Sequence, residues 1–178
     1  MGKVIPFSKK EDFNAGCISE DFNQLLQTII RSASVKKESN KIEIVKNPEE
    51  FIQGEISSFL MEKKLIDPEL FRCTLYVSKV VSNYFSTIPE SYYASDYYLD
   101  GIDENNPETI KRGADFCFLL CTFFPERGTH RVMKLGNYFK MGRVMYFSFY
   151  EMTRRTIGLS MGNKFADMVK IVKKTIVQ

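Results

Sequence analysis

Residues 112–155 read RGADFCFLLCTFFPERGTHRVMKLGNYFKMGRVMYFSFYEMTRR, and this stretch decides the fold. The pattern predicts two helices joined by a short turn. Both are apolar around most of their circumference, as buried helices are. Pro125 ends the first helix because the residue before a proline is pushed out of the helical region. We therefore expect a central antiparallel helix hairpin, 107–124 and 130–155, in the core of the protein.

Three helix starts share one local pattern, a capping residue followed by proline and glutamate. The Asn or Asp side chain accepts a hydrogen bond from an unpaired backbone N–H, and proline at the first helical position loses no bond. The glutamate then lies at the positive end of the helix dipole. The three starts are Asn47-Pro48-Glu49, Asp67-Pro68-Glu69 and Asn106-Pro107-Glu108. They predict helices near 48–64, 68–88 and 107–124.

Apolar residues at helical spacing predict two further helices, one over 19–33 and one from about Ser160 to the C-terminus. Gly158 is expected to end the hairpin before the second of these helices begins. Residues 1–18 show no periodicity, which is typical of a flexible N-terminal arm. The sequence therefore predicts an all-α protein, with about six helices forming a single-domain bundle over residues 19–178.

Two glycines, Gly136 and Gly142, lie inside the second hairpin helix. Each costs roughly 1 kcal/mol relative to alanine in a helix. We expect both to allow a close approach by a neighbouring helix.

The composition excludes several classes of protein. A chain of 178 residues with 44% apolar and 26% charged residues is typical of one globular domain.

Residues 1–106 carry a net charge of −5 and residues 107–178 a net charge of +8. A basic surface of this kind can bind nucleic acid. Because no helix-turn-helix pattern is present, we rank nucleic-acid binding through the C-terminal half third among the possible functions.

The four cysteines form no CxxC pair, and His130 is the only histidine. We therefore expect no metal site and no cofactor. The N-terminus lacks the apolar core of a secretory signal, and the longest uncharged apolar run, 116–125, is too short to span a bilayer. These features predict a cytoplasmic protein with reduced thiols and no transmembrane segment.

Asp115 is a carboxylate at the start of an otherwise apolar helical stretch. A buried carboxylate needs a partner. Arg143 is the predicted one, because both residues lie at similar distances from the hairpin turn. The pair is either a structural ion pair or, with Tyr138, part of a ligand pocket between the central helices.

Polar residues also gather at the predicted hairpin tip, where Glu126 and Arg127 precede His130. A Glu–His pair can transfer protons near neutral pH. The tip lacks a second acid, a nucleophile and a phosphate-binding loop. We therefore expect a contact surface there and no catalysis.

Residues 89–106 form the longest segment with irregular composition. Long irregular segments in compact domains are often functional. This one carries four tyrosines that we expect to contact a partner: Tyr92, Tyr93, Tyr97 and Tyr98.

The series Gly113-Ala114-Asp115, Phe123-Phe124-Pro125-Glu126, Tyr138 to Arg143 and Tyr146 resembles an uncharacterised family of bacterial helical proteins. That family carries a G-D…F-P-E…Y-Y…M-G…Y pattern over the same spacing. The resemblance covers roughly residues 110–172 and implies a bacterial source. It implies no activity.

No nucleotide-binding, hydrolase or metalloenzyme motif is present. The sequence therefore favours a non-catalytic protein-interaction or regulatory module, whose partner is another protein or a second copy of the chain. The alternative is a small-ligand-binding protein or enzyme with a pocket between the central helices.

Overall fold

The computed structural model describes residues 47–84, 91, 93–125 and 134–177, all within the compact unit Lys46–Gln178. The predicted arm, 1–18, and the predicted helix, 19–33, lie outside these residues. Within the described part of the chain the structure is all-α, which confirms the predicted class. Its six helices are α1 (Pro48–Glu62), α2 (Pro68–Tyr84), α3 (Ala94–Asp103), α4 (Pro107–Phe123), α5 (Leu135–Thr153) and α6 (Thr156–Thr175).

The three predicted caps are confirmed. Asn47 accepts hydrogen bonds from the N–H groups of residues 49 and 50 at the start of α1. Asp67 accepts one from Glu69 at 2.8 Å at the start of α2. Asn106 accepts two, from residues 108 and 109, at the start of α4. Local side-chain chemistry thus sets the starts of three helices.

The central hairpin is antiparallel. Gly113 of α4 lies against Met145 of α5, and Cys117, one turn later in α4, lies against Gly142, an earlier residue of α5. These contacts confirm the predicted pairing of the two helices. The helices are α4 and α5, and residues 126–133, where the sequence predicts the turn, lie outside the described residues.

Helix α6 crosses the hairpin at Gly142. A Cβ atom placed on Gly142 would lie 2.8 Å from the ring of Phe165 in α6 and 2.8 Å from Cys117 Cβ. The Phe165 ring meets Phe118 edge-on, with 5.6 Å between the ring centroids. The predicted close approach is therefore real at Gly142. It is not seen at Gly136, where nothing among the described residues lies within 4 Å of the corresponding position.

The junction between α5 and α6 is shorter than the sequence predicts. Arg154 adopts the left-handed conformation, with φ of 57°, and ends α5. Helix α6 then begins at Thr156, so Gly158 lies in its first turn and does not end the hairpin. The glycine is needed for packing, because a Cβ there would lie 2.7 Å from the Tyr146 carbonyl oxygen.

The segment 89–106 is not irregular throughout, because residues 94–103 form α3. Asn105, with φ of 50°, ends this helix, and Asn106 begins the next one. A β-carbon on Gly101 would collide with the Ile110 side chain, so α3 packs directly on α4. Packing of this kind forms a helix that the local composition does not indicate.

Candidate functional site

Asp115 in α4 is held by two tyrosines from different helices. Its Oδ1 accepts a hydrogen bond from the Tyr76 hydroxyl of α2 and another from the Tyr146 hydroxyl of α5, each at 2.6 Å. The Asp115 side chain is 16% exposed, and Tyr146 is 1% exposed. Three helices therefore meet at one carboxyl oxygen.

The protonation of this cluster follows from its burial. Burial and the negative charge of Asp115 raise the pKa of both tyrosines well above 10.0. The two hydroxyls therefore keep their protons and act as donors. Burial also raises the pKa of Asp115, although Lys111 and the two hydroxyls partly offset the effect.

The second oxygen of Asp115, Oδ2, makes no hydrogen bond within the described residues. Its nearest charged neighbour is Lys111 Nζ, at 3.7 Å. No buried side-chain oxygen or nitrogen in the described part of the chain is left without a hydrogen-bond partner. Oδ2 is therefore reached by solvent, and it retains its capacity to accept a hydrogen bond.

Charges of alternating sign extend from this carboxylate along the surface. Lys111 lies 3.5 Å from Glu108, and Glu108 in turn binds Arg155 at 2.6 Å. Lys111 and Asp115 are four residues apart in α4, and Glu108 is three residues before Lys111. All three therefore lie on one face of the helix.

This face opens on a surface cleft with a volume of about 640 Å³. Four cationic and two anionic side chains line it, which gives a net charge of +2. They are Lys79, Lys111, Arg112, Arg155, Glu108 and Asp115. Five aromatic rings supply much of the remaining wall. They are Tyr76, Tyr84, Tyr97, Phe116 and Phe149. We call this the Asp115 cleft.

The predicted pairing of Asp115 with Arg143 is wrong. Arg143 Nε donates to the Gly162 carbonyl oxygen of α6 at 3.0 Å, and its guanidinium lies over the Phe147 ring. The two residues do lie at similar positions along the hairpin axis, as predicted, because both fall between the Gly113–Met145 and Cys117–Gly142 contacts. The direction is wrong, because a residue next to Gly142 points about 100° away from the face that meets α4.

The other predicted site residues that the structure describes do not gather in one place. Tyr138 is 7% exposed in α5 and does not line the Asp115 cleft. Glu126, Arg127 and His130 lie outside the described residues, as does Tyr92.

The remaining tyrosines of the 92–98 segment have different surroundings. Tyr93 is 55% exposed, and Tyr97 is 5% exposed. The Tyr97 hydroxyl accepts from the N–H of Ser91 and donates to its carbonyl oxygen. Tyr98 is half-buried. Tyr97 thus anchors α3 and lines the cleft, and Tyr93 lies at the surface.

The described cysteines show the properties of core residues. Burial raises the pKa of Cys73 to about 12 and that of Cys121 to about 11, and it raises the pKa of Cys117 further. All three thiols are unpaired. Within the described residues no three His, Cys, Asp or Glu side chains come together as a metal site. None of the described helices is long and apolar enough to span a membrane.

Sequence reasoning missed Tyr76, Lys111 and Tyr146. Tyr146 had a usable signal, because it lies one turn after Gly142 on the helix face that meets α4. Lys111 had one also, four residues before Asp115 on the same helix. Tyr76 had none, because only the docking of α2 brings it to the carboxylate.

Comparison with known proteins finds no matching family model, no similar curated protein and no similar solved structure. The resemblance to a bacterial helical family therefore stays an expectation from the sequence.

Proposed function

We propose that the protein binds a small organic anion in the Asp115 cleft. The observation that carries the proposal is a largely buried carboxylate, fixed by two tyrosines, whose second oxygen is open to a cleft of about 640 Å³. Ligand pockets commonly measure 300–1,000 Å³ and combine apolar walls with a few convergent polar groups.

The net charge of the cleft determines which sign of ligand charge it attracts. Four cations and two carboxylates line it, so an anion is attracted more strongly than a cation. The aromatic rings favour a ligand with an apolar body. Oδ2 of Asp115 accepts a hydrogen bond from a donor on the ligand, such as a hydroxyl or an amide.

Binding is favoured over catalysis by the composition of the wall. The described residues that line the cleft include no serine, threonine, cysteine or histidine. A covalent mechanism through a serine, threonine or cysteine side chain therefore has no starting group among these residues. The Asp115 carboxyl can hold or release a proton, which serves recognition as well as chemistry.

The test is a titration of the isotopically labelled protein with 6-hydroxy-2-naphthoate, an apolar ring system that bears one carboxylate and one hydroxyl donor. We expect the amide resonances of cleft residues, such as Asn83 and Lys111, to shift in a saturable way. The substitution Lys79→Glu brings the net charge of the cleft to zero, and we expect it to weaken binding about tenfold. Lys140→Glu makes the same charge change at an exposed position of α5 outside the cleft, so binding should persist.

Two results would contradict the proposal. One is that 6-hydroxy-2-naphthoate and a panel of hydroxylated aromatic sulfonates and phosphates all leave the cleft resonances unmoved. The other is an equal loss of affinity in the Lys79→Glu and Lys140→Glu variants, which would indicate attraction to the whole protein and not to the cleft.

A second candidate function is self-association through α3, and a specific observation favours it. Leu99 is 59% exposed and Ile102 is 49% exposed on this helix, three residues apart. Clusters of exposed apolar side chains often mark protein contacts. Sedimentation velocity over a range of protein concentrations would show a growing oligomer that Leu99→Asp abolishes. A chain that stays monomeric at every concentration would rule this candidate out.

A further inference from the structure

A second surface, at the turn between α1 and α2, exposes two consecutive apolar side chains. Leu65 is 41% exposed and Ile66 is 80% exposed, the highest value among the large apolar residues that the structure describes. Their exposure withholds apolar area from the core, at a cost to folding. A single exposed leucine is ordinary in a globular protein. Two consecutive exposed apolar residues, Leu65 and Ile66, at the tip of a turn are better explained by a role outside folding.

The turn is rigidly built, so this exposure does not arise from a loose loop. The Leu65 N–H bonds the Leu60 carbonyl at 2.9 Å, and the Lys64 N–H bonds that of Met61 at 3.1 Å. These two bonds make the motif that commonly closes helices around a left-handed residue. That residue is Lys64, with φ of 54°. Asp67 then caps α2 and also binds Lys164 of α6 at 2.7 Å.

Lysines surround the exposed pair. Leu65 and Ile66 lie on the wall of a cleft of about 630 Å³ between the turn and α6. Five lysines and two aspartates line this cleft, which gives it a net charge of +3. The lysines are Lys63, Lys64, Lys164, Lys170 and Lys174. We call this surface the lysine cleft.

We propose that the lysine cleft docks the protein on a membrane surface that contains anionic lipids. Leu65 and Ile66 enter the boundary between headgroups and acyl chains, and the lysines contact the anionic headgroups. Peripheral proteins combine these same two contributions, buried apolar area and attraction to anionic lipid. The site is distinct from the Asp115 cleft, and the two share no lining residue.

The shape of the surface favours a membrane over a peptide. A bound peptide buries its apolar side chains in a concave groove of the receptor. Here Ile66, which has the highest exposed fraction of the large apolar residues that the structure describes, is 80% exposed at the turn instead. An exposed side chain flanked by cations matches a soft anionic interface, where lipids close around it.

Vesicle sedimentation tests the proposal on the full chain. We expect the protein to sediment with vesicles of phosphatidylcholine mixed with phosphatidylserine, and to remain in solution with phosphatidylcholine alone. Ile66→Asp should weaken the partition by about tenfold or more. Val144→Asp is the matched control, because Val144 is 51% exposed on α5, away from the lysine cleft, and it should partition like the wild type.

A second variant tests the electrostatic part. Replacing Lys63 and Lys64 by glutamine removes two exposed cations and should cost about fivefold in partition for each lysine. Added salt should weaken the wild-type partition as well. Circular dichroism verifies that each variant is folded.

Three results would overturn the proposal. The wild type fails to sediment with the anionic vesicles, or Ile66→Asp and Val144→Asp reduce sedimentation equally. The third is that Ile66→Asp abolishes self-association of the protein in the absence of vesicles, which would make the surface a contact between copies of the chain.

Discussion

The two sides of α4 differ in what covers them. On one side Gly113 and Cys117 lie against α5, at distances that leave no room for a larger residue. On the other side Lys111, Asp115 and Leu119, at four-residue spacing, line an open cleft. One helix therefore supplies both a tightly packed face and a partly buried carboxylate.

The difference shows how a helical protein acquires a site. Where glycine permits close approach, side chains interlock and water is excluded. Where α2 stands away from α4, the gap is bridged by one hydrogen bond, from Tyr76, and the charges of Lys111 and Glu108 stay partly hydrated. The polar groups of the candidate site therefore lie on the face of α4 that is less tightly packed.

The largest effect is expected at the tight side. In Gly142→Ala the new Cβ would lie 2.8 Å from Cys117 Cβ and from the Phe165 ring, so the helices must move apart. We expect the free energy of unfolding to fall by about 2 kcal/mol in urea denaturation followed by circular dichroism. At Gly136 no described residue lies within 4 Å of the Cβ position, so Gly136→Ala should instead raise it by about 1 kcal/mol. A change of the same sign in both variants would remove the distinction between the two positions.

Much of the fold could be predicted because its determinants are local. The caps at Asn47, Asp67 and Asn106 need only the following two or three residues, so the sequence displays them directly. The hairpin follows from the apolar periodicity of its two helices. Such features do not depend on where the rest of the chain lies.

Helix α3 could not be predicted, because distant contacts form it. Its capping position is Tyr93, whose side chain makes no capping bond, and Gly101 lies inside it. Packing on α4 and the two hydrogen bonds between Tyr97 and Ser91 hold it in place. The same limit applies to the site, where Asp115 was identifiable as a carboxylate needing a partner and Tyr76 was not identifiable at all.

The next effect concerns the open side and depends on pH. Burial raises the pKa of Asp115 above its ordinary value of 3.8. Native Asp115 therefore holds its proton more tightly than the unfolded chain does. Its contribution to stability is fully present below pH 3.8 and is lost as the pH rises through the higher native pKa.

The comparison of wild type with Asp115→Asn measures this contribution. The difference between their free energies of unfolding should fall as the pH rises, by no more than about 1.4 kcal/mol per pH unit, since one proton is involved. Asp100→Asn, at an exposed position of α3, controls for the change in net charge. A difference that grows with pH would mean that Lys111 and the tyrosines outweigh burial, and that this side of α4 is as well satisfied as the other.

The smallest effect tests whether the two sides are independent. Arg143 bonds Gly162 at 3.0 Å, so Arg143→Gln should lower the free energy of unfolding by about 1 kcal/mol. Because Arg143 and Asp115 share no partner, the double variant with Asp115→Asn should show a coupling below about 0.5 kcal/mol. In the wild type the Tyr146 hydroxyl bonds the Asp115 carboxylate directly. The coupling between Tyr146→Phe and Asp115→Asn should therefore exceed about 0.5 kcal/mol. If Arg143 couples to Asp115 as strongly as Tyr146 does, the ion pair inferred from the sequence exists in solution. The carboxylate would then belong to the packed interior of the hairpin and not to the cleft.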